Sequence, residues 1–174
     1  MILYAFSLVN KVAIVTGCDT GLGQGMALGL AEAGCDIVGV GRKNPHETAA
    51  RVSELGRRFL AIQADLSKQD AINDIVSQTV AQMGRIDILL NNAGTIRRCD
   101  AIEFTEQDWD EVMDLNLKTA FFLSQAVARQ FIAQGQGGKI INIASMLSFQ
   151  GGIRVPSYTA SKSGLMGLTR AMAN

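Results

Sequence analysis

Short apolar runs alternate along this chain with longer stretches of helical periodicity. Residues 12–16, 36–40, 59–63, 86–90 and 139–143 are five such runs, each the length of a buried parallel strand. Between the first two, Leu22, Met26, Leu30 and Ala33 recur at helical spacing until Gly34 ends the pattern. A helix is predicted from Pro45 to about Leu55. Another follows Ser67 as its cap, with Ile72, Ile75, Val76, Val80 and Met83 on one face. A long helical region runs from Thr105 to about Ala133, with a break near 114–116. The last helix opens near Pro156 and is still running at Asn174.

Strands alternating with helices at this spacing predict an α/β fold: a doubly wound parallel sheet, Rossmann-like, with helices on both faces. Such sheets bind ligands beyond the carboxyl ends of their strands. Gly17–Gly23, Asp65, Asn91–Gly94 and Ser145 all fall just after predicted strand ends. Four polar or glycine-rich segments are therefore expected along one rim.

Composition narrows the function. The 174 residues carry 16 Lys and Arg against 16 Asp and Glu, so no electrostatic footprint for nucleic acid or an anionic membrane exists. No apolar run is long enough to cross a bilayer, and the short apolar start (1–8) lacks a basic leader, so it is not read as a signal peptide. Cys18, Cys35 and Cys99 have no metal-ligand spacing and are read as reduced, partly buried thiols, an expectation that fits the cytoplasm. His46 stands in the polar run 42–47 and is read as a surface-loop residue.

Two features carry chemistry. In Gly17-x-x-x-Gly21-x-Gly23 the first glycine turns the chain and the later ones let backbone approach a pyrophosphate, which the following helix N-terminus favours. Tyr158 and Lys162 lie four residues apart, one helical turn from each other. A phenol ordinarily ionises near pH 10, and an ammonium one turn away favours the phenolate, equipping the pair for general acid–base work. Ser145 adds a hydroxyl able to hold a carbonyl oxygen, or the alcohol made from it. The second strand ends in Gly41-Arg42, without the acid that accepts ribose hydroxyls and repels a 2′-phosphate. Arg42 is read either as a partner for that phosphate or as a solvated loop residue.

Thr16-Gly17-x-x-x-Gly21-x-Gly23, Asn91-Asn92-Ala93-Gly94, Asn116, Ser145 and Tyr158-x-x-x-Lys162 together resemble the short-chain dehydrogenase/reductase family in order and spacing, over the whole chain. The resemblance implies an oxidoreductase with a nicotinamide cofactor, NAD by likeness and NADP permitted by Gly41-Arg42. It implies Tyr158 as acid/base, Lys162 beside it on the nicotinamide ribose, Ser145 orienting the carbonyl, and Asn116 holding a relay water. The implied cofactor set is Gly17, Asp19, Thr20, Gly21, Leu22, Gly23, Arg42, Asp65, Leu66, Asn92, Ala93 and Gly94, with Tyr158 and Lys162. Runs 16–30 and 145–158 are similar to members acting on deoxy sugar acids in hexuronate breakdown, which implies a cytoplasmic enzyme. Ser148, Gln150 and Arg154 would then face a sugar-acid substrate beside Ser145 and Tyr158, with Arg154 pairing a carboxylate. Tetrameric assembly through the long helices after strands four and five is implied as well.

Family members run to about 250 residues. Residues 1–174 are accordingly expected to form one dinucleotide-binding and catalytic domain that lacks the family's last strands and substrate lid. Two other readings stand beside the dehydrogenase: a catalytically silent dinucleotide-binding fragment, and a member acting on another polyol or a 3-oxoacyl substrate.

Overall fold

The computed structural model describes residues 2–174. After a 3-10 turn at Ile2–Phe6, strands β1 (Val12–Thr16), β2 (Asp36–Gly41), β3 (Phe59–Gln63), β4 (Ile88–Asn91) and β5 (Lys139–Asn142) form one sheet. All its pairings are parallel, in the order β3-β2-β1-β4-β5. Helices α1 (Gly21–Glu32), α2 (His46–Glu54), α3 (Ala71–Met83), α4 (Glu106–Met113), α5 (Thr119–Gln134), α6 (Leu147–Gln150) and α7 (Pro156–Ala173) connect and follow the strands. The predicted doubly wound fold is thus present.

Each central strand feeds two cores because successive side chains point to opposite faces. Val12 and Ile14 of β1 join Val38, Val40 and Leu89 against Ile75 of α3 and Leu123 and Val127 of α5. Ala13 and Val15 join Ile37 and Leu90 against Ala27 and Leu28 of α1 and Val52 of α2. Being buried on both faces, β1 is apolar at every position but its last, so it reads as a continuous run rather than an alternating one. Each of the Val, Leu and Ile side chains contributes about 1.5–3 kcal/mol on burial.

The amino end of the sheet is closed by carboxylates. Asp87 Oδ2 accepts from Val12 N (3.0 Å) and Arg85 Nε (2.7 Å), and Oδ1 from Lys11 Nζ (3.3 Å) and an Arg85 terminal nitrogen (2.6 Å). Asp36 accepts from Arg57 (2.5 Å) and Arg58 Nε (2.7 Å). Burial alone would push the Asp87 carboxyl above the ordinary carboxylate range. The hydrogen bonds from Arg85, Val12 N and Lys11 outweigh it and hold the carboxyl below the ordinary range.

Several local expectations are corrected. β4 begins at Ile88 rather than residue 86, because the Asp87 side chain takes up the Val12 amide at that point. Ser67 does not cap α3, which starts at Ala71; its N–H (3.1 Å) and hydroxyl (2.8 Å) both donate to Asp65 Oδ1 in a turn. His46 is the exposed first residue of α2, not a loop residue, since the buried Pro45 ends the preceding bend. The long helix does change at the expected place: Asp114–Lys118 is a π-helical turn between α4 and α5. The short helix α6 stands where only a polar run was read.

The linkage at Asp87 has a definite sign. Its native pKa lies below its unfolded one, so its stabilisation is present above the ordinary carboxylate pKa and is lost as pH falls through the native value. Asp87→Asn is expected to lower stability by about 1–2 kcal/mol near neutrality, the scale of losing charge-assisted hydrogen bonds to partly exposed partners. Urea denaturation from pH 7 to pH 3 should show the gap to the parent chain narrowing on acidification.

Candidate active site

The site grows from the exits of β1 and β4, the neighbouring strands on either side of which the crossovers diverge. Thr16, the last residue of β1, turns its buried hydroxyl toward β4. Its Oγ accepts from the amides of Asn92 and Ala93, both at 2.9 Å, and donates to Leu90 O at 3.3 Å. Asn92 answers with its side-chain amide on Thr16 O (2.9 Å) and Gly17 O (3.0 Å). The glycine turn is therefore tied to the Asn91–Gly94 loop by side chains from both.

Gly17 has φ +64°, a left-handed conformation that glycine takes without steric cost. A Cβ on Gly23 would strike the Gly17 carbonyl, so only glycine lets α1 press this closely on the turn. Thr20 caps α1 without a side-chain cap bond, leaving first-turn amides of the helix at the cavity mouth. A second brace comes from α2: the buried Thr48 hydroxyl donates to Cys18 O at 2.7 Å and accepts from Gln24 Nε2 at 3.1 Å.

Above this turn lies a cavity of about 510 Å³. It is lined by Gly17, Asp19, Thr20, Leu22 and Gly23 from the turn and α1, and by Gly41, Arg42 and Lys43 from the end of β2. Asp65, Leu66 and Ser67 after β3, and Asn92, Ala93, Gly94 and Thr95 after β4, complete it with Glu111 and Leu115. Nearly the whole expected cofactor set meets here. Gly21 is absent from the lining, and the amide of Asn92 is spent on the turn, so that residue shapes the cavity through its neighbours. Lys43, Ser67, Thr95 and Glu111 also line the cavity without having been read as site residues in the sequence. Lys43 had the clearest signal, as the second cation of the run that follows β2.

The remaining candidates lie outside this lining, with Asn116 and Lys162 adjoining it through Leu66, Ala93 and Leu115. The π-helical turn rotates Asn116 inward until it is 1% exposed. Its Oδ1 accepts from Thr95 N (2.8 Å), and its Nδ2 donates to Thr95 O (2.9 Å) and Ser161 Oγ (3.2 Å). Ser161 Oγ donates to Tyr158 O at 2.8 Å. Asn116 is thereby linked to the first turns of α7. Ser161 was not foreseen, although its place three residues after Tyr158 puts it on the same helical face.

On α7 the Lys162 ammonium lies 5.7 Å from the centre of the Tyr158 ring and donates to Ile143 O at 2.6 Å. Lys162 is 4% exposed, and burial pushes its ionisation below the ordinary lysine range. The half-buried Tyr158 makes no side-chain hydrogen bond among the described residues, and its phenol is uncommitted. Ser145, three residues past β5, accepts from Leu147 N at 3.1 Å, and its own amide donates to the hydroxyl of the buried Ser148 at 3.3 Å.

The substrate-side candidates are less gathered. Gln150 is exposed at the end of α6. Arg154, in a left-handed conformation (φ +62°), pairs with Asp100 at 2.9 Å, and its carbonyl accepts from Cys99 N at 3.0 Å. That strand-like contact ties the loop after α6 to the segment that follows Gly94. Among the described residues no cluster of His, Cys, Asp and Glu is arranged to hold a metal, and no helix is long and apolar enough to cross a membrane.

A family model described as short chain dehydrogenase matches residues 11–174. The chain belongs to this family. It is 71% identical over 174 residues to the 2-dehydro-3-deoxy-D-gluconate 5-dehydrogenase of Escherichia coli (strain K12), covering all of this chain and 69% of that protein. The enzyme of the same name from Dickeya dadantii (strain 3937) is 67% identical with the same coverage. Among solved structures, a protein from Agrobacterium tumefaciens, provisionally assigned as a 2-deoxy-d-gluconate 3-dehydrogenase and carrying NADP, superposes with a TM-score of 0.88 at 50% identity. That match covers 97% of this chain and 67% of the other. This dehydrogenase is an oxidoreductase that uses NAD(P), and the glycine cradle, the helix terminus and the rim cavity fit a dinucleotide.

Two glycines of α1 separate cradle from propensity. Gly23→Ala is expected to cost about 1–3 kcal/mol through overpacking against Gly17 and to weaken dinucleotide binding. Gly25→Ala meets nothing within 4 Å and is expected to stabilise by about 0.5–1 kcal/mol through helix propensity, with binding retained. Urea denaturation and fluorescence titration with NADH and NADPH read both.

Proposed function

We propose that this dehydrogenase interconverts 2-dehydro-3-deoxy-D-gluconate and 3-deoxy-D-glycero-2,5-hexodiulosonate, a step of pectin and hexuronate breakdown in the cytoplasm. The observation that carries this reading is the pairing of a free Tyr158 phenol with a buried Lys162 ammonium beside a dinucleotide-sized rim cavity. The 71% identity over the full chain supports the particular substrate.

A nicotinamide held in this cavity would supply or take a hydride at C5 of the sugar acid. This chain's residues handle the proton and the geometry. In oxidation, Tyr158 Oη as phenolate takes the C5 hydroxyl proton; in reduction it returns one to the nascent alkoxide. Lys162 stabilises that phenolate. Its desolvated ammonium has only the neutral Ile143 carbonyl as a partner among the described residues, so an anion beside it is favoured. Ser145 Oγ donates to the substrate oxygen, oriented by its bond from Leu147 N. Asn116 fixes Thr95 and α7 through both ends of its amide, and its main chain would hold the proton-relay water in the small cavity it shares with Lys162. The cavity residues Gly17, Asp19, Thr20, Leu22, Gly23, Arg42, Asp65, Leu66, Ala93 and Gly94 hold the dinucleotide.

Arg154 receives the substrate carboxylate by exchanging Asp100. Its side chain is 58% exposed and that of Asp100 is 65% exposed, and such surface pairs are worth little. Gln150 stands on the same loop. A homo-oligomer, tetrameric by likeness, is supported by the apolar groove between α5 and α7, where Leu117, Phe121, Phe122 and Leu168 meet.

The reading is tested by following NAD(P)H absorbance with the hexodiulosonate, against a 3-oxoacyl thioester and neutral polyols. Turnover is expected for the sugar acid; preference for the thioester would sink the substrate assignment. Tyr158→Phe should lower kcat by about two to four orders of magnitude with dinucleotide affinity unchanged. Arg154→Ala should raise KM for the sugar acid and leave kcat nearly as it was; an unchanged KM removes the carboxylate role.

A further inference from the structure

A helical hydroxyl commonly turns back on its own helix. Ser53 on α2 donates to Ala49 O (2.9 Å), Thr79 on α3 to Ile75 O (2.7 Å) and Thr169 on α7 to Leu165 O (2.7 Å). Thr48 does otherwise. It is fully buried on α2, and its hydroxyl donates at 2.7 Å to Cys18 O, a carbonyl of the glycine turn 30 residues earlier. We infer that Thr48 is a positioning residue for dinucleotide binding, which aims the peptide between Cys18 and Asp19 so that the Asp19 N–H faces the ligand. The inference rests on the dinucleotide reading of the cavity given above.

A trans peptide points its C=O and its N–H in opposite directions. Drawing Cys18 O toward α2 therefore turns the Asp19 N–H away from that helix. Asp19 lines the rim cavity, and its amide makes no hydrogen bond among the described residues. The preceding peptide is treated alike: Asn92 Nδ2 donates to Gly17 O at 3.0 Å, which leaves the Cys18 N–H on the opposite side. Two successive carbonyls of the turn are thus drawn off by side chains from distant segments, Asn92 after β4 and Thr48 on α2. Buried carbonyls held in this way leave amide donors for an anionic or hydroxylated ligand.

The direction of the Thr48 bond is set from the surface. Arg51 can only donate, and one of its terminal nitrogens meets Gln24 Oε1 at 3.5 Å. Gln24 Nε2 then faces Thr48 Oγ at 3.1 Å, and the Thr48 proton is left for Cys18 O. Gln24 stands in the first turn of α1, so these bonds tie α1, α2 and the glycine turn together. A threonine kept only for its volume needs none of them, since valine fills the same space.

Thr48→Val keeps the shape and removes the bond. Fluorescence titration of the chain with NADH and NADPH, and calorimetric titration with ADP, should show Kd raised about 3–10-fold, the scale of one lost hydrogen bond. Thr48→Ser, which keeps the hydroxyl, should restore the parent affinity. Val52→Ala truncates a buried core residue one turn further along α2 and should lower the thermal midpoint with Kd unchanged. An affinity unmoved by Thr48→Val, or weakened equally by Val52→Ala, makes Thr48 a packing residue. Either result overturns the inference and leaves the dinucleotide reading standing. Should Thr48→Val fail to fold, Gln24→Ala decides: loss of the orienting donor is expected to raise Kd about 2-fold, and an unchanged Kd overturns the inference. Failure of the parent chain to bind NADH, NADPH and ADP overturns the dinucleotide reading and the inference with it.

Discussion

The clasp between Thr16 and Asn92 is the contact on which the rest of the site depends. Two strands leave the sheet side by side, and their next residues would diverge without a link. Thr16 Oγ gathers two amides of the β4 loop, and the Asn92 amide gathers two carbonyls of the β1 turn. Four charge-neutral bonds, each worth about 1 kcal/mol net, fix one turn against the other. On one side of this clasp Gly17 and Gly23 open the dinucleotide cradle. On the other, the loop continues to Thr95, whose backbone Asn116 holds at both polar atoms. The cradle and the elements that carry Tyr158 and Lys162 therefore share one anchor.

Much of this was legible in the sequence because it depends on periodicity and on glycine. Five buried strands announce themselves as apolar runs, since a strand covered on both faces has no polar side to show. The glycine turn is legible because no other residue fits Gly23 against Gly17. Tyr158 and Lys162 are legible because a helix brings positions four apart together. The rest depended on partners distant in the chain. Asp87 looks like one polar interruption of an apolar run, yet it takes its bonds from Lys11 and Val12, 75 or more residues away. Ser67 has the composition of a helix cap, but Asp65 two residues earlier offers a nearer acceptor. Arg154 reads as a free cation until the fold brings Asp100 beside it. The π-helical turn was visible only as a break, and that it aims Asn116 inward follows from packing, not from local preference.

Lys162 shows why such a site is built at the junction of elements rather than on one helix. A buried ammonium is costly, and α7 alone supplies no acceptor for it. The compensation comes from β5, whose exit places the Ile143 carbonyl 2.6 Å away. That neutral partner satisfies one donor of three and leaves the positive charge without an anion. An ammonium so held keeps its field for an anion brought beside it, which an exposed, salt-paired lysine would not. Removing the carbonyl would expose the cost; adding a carboxylate would quench the effect.

The same logic extends across the sheet. At the amino ends of the strands, Asp36 and Asp87 bind their arginines closely, and charge there is spent on holding the fold. At the carboxyl ends, Arg42, Lys43 and Lys162 lack acidic partners among the described residues, and the N-terminus of α1 adds its partial positive charge. The acids that share that rim are mostly occupied, Glu111 by Arg97 and one Asp65 oxygen by Ser67. The fold thus neutralises itself where it needs only stability and leaves cations unpaired where a ligand brings phosphates. A net charge of zero conceals this division, because it sums over the two ends of a sheet whose electrostatic tasks are opposite.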